Sequence, residues 1–246
     1  MPPPITNPHK RNKTFNDNWK PTTTPNNDDD DDDEVVFVIT GAASGLGNVI
    51  VKRLSEMMRG RKGRFFLVGR NVDAGLRTIG GLRRGDEEYH LQGTREEGGE
   101  GWIKEDRYTF IACDVSLMSN VHSLSSSIRE KTDRVNYLVH SAGTSSVASK
   151  PHPTKEGIES LELANRYYAR FALTFDLLEL LRKGGGGGGG VEAGVMSILG
   201  TGIPFWNKID LDDLGFHKSF WGPRVMFHSG VYNDLWITVS PPPPLF

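Results

Sequence analysis

The chain has 246 residues, 37% of them hydrophobic and 24% charged, with a formal net charge of −2. That length suits one sizeable α/β domain, and the near-neutral balance excludes a global basic field for nucleic acid. A single cysteine, Cys113, excludes an intramolecular disulfide, and no apolar run reaches the roughly 18 residues of a membrane helix, so a cytoplasmic protein with no membrane or nucleic-acid partner is expected.

Residues 1–34 mix Pro, Asn, Thr and Lys with six consecutive aspartates, Asp28 to Asp33, followed by Glu34. So little apolar surface cannot offset the entropy of ordering, and a disordered acidic tail is expected. The pattern changes at Val35. Five apolar residues, Val35 to Ile39, read as a central parallel strand buried on both faces. A tight turn with Gly41, Gly45 and Gly47 follows, and a helix starts near Leu46. Glycine accepts φ > 0 and lets an anion approach the backbone, while the helix offers unpaired N–H groups and the positive end of its dipole. This stretch is suited to seating a pyrophosphate.

The basic turn Arg59 to Arg64 reads as a solvated loop before a second strand, Phe65 to Val68. That strand ends in Gly69-Arg70-Asn71, about 30 residues after the first begins, where a dinucleotide-binding unit meets the adenosine ribose. An acidic residue there selects NAD; the donor fork of Arg70 suits a 2′-phosphate and favours NADP. A helix is expected from Val72 to about Arg83, weakened by Gly75, Gly80 and Gly81, with 84–106 a flexible surface loop. Tyr108 to Cys113 forms a third strand, and Asp114 then stands open to two readings, a cofactor contact or an N-cap. A helix from Leu117 to Thr132 leads to a fourth strand, Val135 to His140, and to Ser141-Ala142-Gly143. A long amphipathic helix is expected from Thr154 to Lys183, then a flexible glycine connector over 184–190 and a fifth strand, Val195 to Leu199. Alternating strands and helices give an α/β, doubly wound parallel sheet of Rossmann type over 35–240, with a Pro-rich end at 241–246.

TGAASGLG, residues 40–47, resembles the TGxxxGxG signature of the short-chain dehydrogenase/reductase family. The resemblance covers roughly Val35 to Leu199. It implies hydride transfer between a nicotinamide cofactor, NADP rather than NAD, and a small carbonyl or alcohol substrate, in a protein that can form a homo-oligomer. It places Gly41, Ser44, Gly45, Leu46 and Gly47 on the pyrophosphate and Arg70 with Asn71 on the 2′-phosphate. Asp114, Val115, Ala142 and Gly143 fall on the adenine and ribose side. The family's Asn-Asn-Ala-Gly becomes His140-Ser141-Ala142-Gly143, with His140 read as structural, and Asn165 resembles its mid-helix asparagine.

The resemblance weakens where proton transfer is needed. The family pairs a tyrosine with a lysine four residues later, on one helix face, so that the ammonium lowers the phenol's pKa. Here the residues four after Tyr89, Tyr108, Tyr137, Tyr167, Tyr168 and Tyr232 are Gly93, Ala112, Ser141, Phe171, Ala172 and Trp236. The family's serine after the fifth strand falls at Gly200, with Thr201 the nearest hydroxyl and Ser197 inside the strand. Asn165, Thr201 and Tyr232 are therefore the catalytic candidates, with no metal expected. Past Tyr232 the sequence offers a short strand at Trp236 to Val239 and then Pro241 to Pro244, so C-terminal strands are expected to be missing and the fifth strand to be an exposed edge. The expectation is a truncated or mis-spliced chain, and it leaves two alternatives: a dinucleotide-binding protein without turnover, or a non-functional product.

Overall fold

The computed structural model describes residues 34–59, 61–92, 107–143, 150–186, 193–199 and 209–239. Five strands form one parallel sheet: β1 (Val35–Thr40), β2 (Gly63–Gly69), β3 (Tyr108–Ala112), β4 (Tyr137–His140) and β5 (Gly194–Ser197), in the order β3-β2-β1-β4-β5. The doubly wound α/β reading of the sequence holds. β1 is central and wholly buried, and its alternate residues feed two cores. Val36 and Val38 meet α3 (Met118–Arg129) and residues 173–181 through Val121, Leu124, Ile128, Leu173, Leu177 and Leu181. Val35, Phe37 and Ile39 meet α1 (Gly45–Met57) and α2 (Val72–Gln92) through Val51, Ile79 and Leu82. An uninterrupted apolar run, Val35 to Ile39, is what a strand covered on both faces requires.

Several expected boundaries move. α2 runs on to Gln92, so residues 84–92 are helical rather than loop. Gly75 is there because a Cβ would drive into the ring of Phe110, a packing demand that offsets its low helix propensity. The long helix starts at Leu161, not Thr154. As α4 it comprises Leu161–Leu163, a π turn at Ala164–Tyr168 and Ala169–Asp176, and α5 (Leu178–Gly186) continues it. The first three glycines of the supposed connector are thus helical, and Gly184 O accepts from Asn136 Nδ2 at 2.9 Å. Finally, α6 (Gly222–Val239) includes Trp236 to Val239, where a strand was expected. Pro223 in its first turn fits a helix start, and Asn233 anchors it, so tertiary contacts override the β-propensity of that segment.

Among the described residues β5 pairs with β4 alone, and Val195 and Met196 are exposed, in line with the expected edge. Beside it an apolar cavity of about 470 Å³ opens between α1 and strands β1, β4 and β5. Residues 1–33, 93–106, 187–190 and 241–246, named above as tail, loops and Pro-rich end, lie outside the described residues. No helix among the described residues is long and apolar enough to cross a membrane.

Candidate dinucleotide site

The strand order reverses between β1 and β4, and a crevice at the C-terminal ends of the strands follows from that topology. The turn after β1 is built on backbone shape. Gly41 (φ 73°) and Gly45 (φ 56°) occupy the left-handed region. A Cβ on Gly41 would stand 2.7 Å from Ala142 N, so the exit of β4 presses directly against the turn. A Cβ on Gly47 would run into Gly41 O, which explains the third glycine as the residue that lets α1 close onto the strand. Gly45 faces open space, with nothing within 4 Å of its would-be Cβ. Ser44, the N-cap of α1, makes no side-chain capping bond, and no acidic residue sits in the first turn. The N–H groups there, with Ser44, Gly45 and Leu46 all exposed, lack the usual side-chain acceptor.

Thr40, the first residue of the motif, holds this turn together with Asn48 and Thr78, which the sequence reading did not single out. Thr40 Oγ1 accepts from Ala142 N–H at 3.3 Å. Asn48 Nδ2 donates to Thr78 Oγ1 at 2.8 Å and Ala42 O at 3.4 Å, tying α1 and α2 to the loop. A polar Asn one position after the last glycine was the available signal.

At the exits of β2 and β3, a cavity of about 420 Å³ is lined by Arg70, Cys113, Asp114, Asn120, Ser123 and Ser127 among others. Arg70 is exposed at its side. Asn71 Oδ1 accepts from Ala74 N–H at 2.9 Å, so that side chain already caps α2. Asp114 Oδ1 accepts from Ser116 N–H (3.1 Å) and Ser116 Oγ (2.8 Å), which fixes the carboxylate at the cavity wall. Asp114 does not cap α3; Leu117 is its N-cap, and the carboxylate of Glu156 accepts from Met118 N–H and Ser119 N–H instead. Val115 is buried in the core behind the cavity, so only its backbone is available to a ligand. Burial, and then Asp114, push the Cys113 thiol up to about 11, which leaves it protonated and unreactive at neutral pH.

At the ends of β4 and β5 the buried polar side chains bond one another and the strand exits, except at Arg170 Nε, which has no hydrogen-bond partner among the described residues. His140 is fully buried, its Nε2 is 2.9 Å from Thr174 Oγ1, and burial followed by Arg170 pulls its pKa down to about 3. It is a neutral structural histidine. Arg170, which the sequence reading passed over, is 4% exposed. Its Nη2 donates to Ala142 O (3.1 Å), and its Nη1 donates to Ser197 Oγ (2.6 Å) and Ile198 O (2.8 Å), so one guanidinium joins the exits of both strands beside Gly143. Burial and Arg166 lower its pKa to about 10, still protonated at pH 7. A charge seven residues from both Leu163 and Leu177 on the apolar face of α4 was its signal in the sequence.

Asn165 lies in the π turn and donates from Nδ2 to Leu161 O at 2.9 Å. Tyr232, on α6, donates to Leu214 O at 3.2 Å and packs its ring against Tyr167 at 5.3 Å. Burial, and then Tyr168, push its pKa up to about 12, away from neutrality. α4 and α6 are thus adjacent, but the two candidate side chains each bond a backbone carbonyl rather than meeting at a shared point. Thr201 and Gly200 lie outside the described residues. Asn233 docks α6, donating to Arg166 O (2.8 Å) while its Oδ1 is 3.4 Å from Ser197 Oγ. His228, one turn before Tyr232, is buried with Nδ1 2.9 Å from Arg224 O. Among the described residues no group of three acidic, His or Cys side chains is placed to hold a metal ion.

Residues 35–161 match the family model of the KR domain. Among curated proteins, oxidoreductase andH of Emericella variicolor is 33% identical over 189 residues, covering 77% of this chain and 46% of that protein. The chain spans less than half the length of the curated relatives it matches. Among solved structures, a metagenomic short-chain oxidoreductase in complex with NADP superposes with a TM-score of 0.55 at 16% identity, over 84% of this chain and 75% of that one. The RhlG/NADP active-site complex of Pseudomonas aeruginosa superposes with a TM-score of 0.53 at 18% identity, over 82% of this chain and 64% of that one. At those identities the superpositions speak to fold.

Proposed function

Because this chain belongs to the short-chain dehydrogenase/reductase family, we propose that it binds NADP(H) and serves hydride transfer between the nicotinamide and a small carbonyl or alcohol substrate in the cytoplasm. The observation that carries this reading is the uncapped N-terminus of α1, open above Gly45 at the C-terminal end of the sheet; a cavity flanked by Arg70 and Asp114 at the exits of β2 and β3 supports it. The residues fit the group. First-turn N–H groups would hold the pyrophosphate, and the Arg70 fork would take the 2′-phosphate. Asp114 would accept from the adenine or ribose side, and the small residues Ala142-Gly143 would let the backbone run close under that same side of the cofactor. When bound, the nicotinamide supplies the hydride donor or acceptor, and the protein supplies position and proton management. The two superposed proteins are NADP complexes, which supports the cofactor choice.

Arg170 would hold the floor of the crevice cationic and the exits of β4 and β5 in fixed register. Asn165, Thr201 and Tyr232 stand as the residues for proton transfer. For Tyr232 that role requires the hydroxyl to leave Leu214 O and its pKa to fall from about 12. Fluorescence titration of the purified chain with NADPH and NADH, followed by NADPH oxidation with a panel of ketones and aldehydes, tests the reading. Saturable binding, tighter for NADPH, with oxidation by at least one carbonyl is expected; absence of binding contradicts it.

A further inference from the structure

Arg170 carries a full charge where buried charge is costly, and none of its bonds cancels it. Its hydrogen bonds end on uncharged oxygens, Ala142 O, Ser197 Oγ and Ile198 O, and its Nε is buried with no hydrogen-bond partner among the described residues. Among those residues no carboxylate pairs with it. The charge that acts on it is a like one, Arg166, earlier on the same helix. The acid that acts on Arg166 is Glu162, whose Oε2 accepts from Ser160 Oγ at 3.1 Å. His140, beside Thr174 on this floor, is neutral. Two guanidiniums against one carboxylate leave positive charge in excess, and in a low-dielectric setting its field reaches further than it would in water. Such a charge acts on whatever occupies the strand exits.

The exits of β4 and β5 lie on the side of the glycine-rich turn away from β2 and β3. A dinucleotide straddles the point where the strand order reverses. With its pyrophosphate at the start of α1 and its adenosine half toward Arg70 and Asp114, its nicotinamide half extends past the exit of β4 toward β5, the two strands that Arg170 joins. Accepting a hydride turns the cationic ring of NADP+ into the neutral ring of NADPH. We propose that Arg170 makes this site discriminate between the two forms, favouring NADPH over NADP+ by charge repulsion at the nicotinamide end. The proposal rests on the dinucleotide reading above and adds a preference for oxidation state to it. Both forms carry the same phosphates, so anchoring at α1 and Arg70 cancels in the comparison and the ring charge remains. The consequence is a site that stays loaded with the reduced cofactor where both are present and releases the oxidised form.

Dissociation constants of the full chain for NADPH and NADP+, measured by calorimetric titration at low salt and near-neutral pH, test it. Arg170, with a pKa of about 10, is protonated there. Two separate variants accompany the wild type. Arg170→Gln removes the charge, and Ser197→Asp sets a carboxylate against it where the Ser197 hydroxyl now lies 2.6 Å from Nη1. NADPH is expected to bind the wild type about 10-fold or more tightly than NADP+, the size of a unit-charge repulsion at intermediate dielectric. In both variants the ratio should fall towards one. A merely structural role for Arg170 would weaken both forms alike; an unchanged ratio therefore overturns the proposal, and so does a wild-type ratio near one. The variants alter different elements, α4 and β5, so loss of fold in one leaves the other to decide. Binding of neither form to the folded wild type overturns the dinucleotide reading and this proposal together, whereas binding of both with no preference overturns this proposal alone.

Discussion

The turn after β1 presses on the exit of β4 and the helix α6 reaches the end of β5 through Asn233, yet the two carry their chemistry in different materials. At the turn the work is done by main chain: two positive φ angles, two glycines that backbone atoms press upon, and a helix start without a side-chain cap. At α6 it would have to be done by side chains, and those present are committed to packing. Tyr232 bonds Leu214 O, Asn233 bonds Arg166 O, and His228 lies against Phe216 with ring centroids 5.5 Å apart. A site made of backbone geometry survives as long as its glycines do. One made of an i, i+4 side-chain pair is lost with a single residue, and Trp236 stands where the lysine would be.

Substitution at the turn should give the largest effect. Gly47→Ala forces a methyl into Gly41 O, main chain that cannot retreat, so a loss of about 1–3 kcal/mol in urea unfolding is expected, together with loss of NADPH-dependent stabilisation. Wild-type stability and binding in that variant would break the comparison at its firmer side. Arg70→Ala removes charge-assisted bonds worth about 1.5–3 kcal/mol, so NADPH should bind roughly 10- to 100-fold more weakly while NADH is unchanged. Equal weakening of both would show that Arg70 shapes the cavity without reading the 2′-phosphate.

His140 tests the buried floor between the two regions. Its pKa of about 3 in the folded chain lies below the ordinary 6.5, so between those values the unfolded chain takes up a proton that the folded chain refuses. Stability is accordingly full above about pH 6.5 and declines as the pH falls towards 3, by up to about 1.4 kcal/mol per pH unit. Urea midpoints at pH 7, 6 and 5 should show that slope in the wild type and a flatter one in His140→Gln. The smallest effect is expected at Tyr232. Tyr232→Phe keeps the ring contacts and loses one hydrogen bond, so about 0.5–1.5 kcal/mol of stability should go with NADPH binding intact. Turnover should fall by more than that loss of stability explains, as a proton-transfer role requires; unchanged turnover would take that hydroxyl out of the chemistry.

The same division governed what could be read in advance. The strand, turn and first helix were legible because a buried apolar run and closely spaced glycines dictate local backbone conformation directly. Asp114 was placed at the cavity, while its competing role as a helix cap fell to Glu156, 38 residues from Met118. Arg170 and Asn233 escaped because their partners lie 28 and 67 residues away, at Ala142 and Arg166, and no local pattern encodes such pairs. The extension of α2 was hidden for the opposite reason. Gly75 reads as a helix breaker until Phe110 of β3 is packed against it.

Thermal melting of the full chain with excess NADPH, against NADH and no ligand, tests the central claim most directly. At a hundredfold excess over the dissociation constant, binding to the folded state alone should add about 2.7 kcal/mol of stability, a shift of several degrees. A clear rise in Tm with NADPH, smaller with NADH, is the expected result; a cooperative melt that neither dinucleotide moves would contradict it.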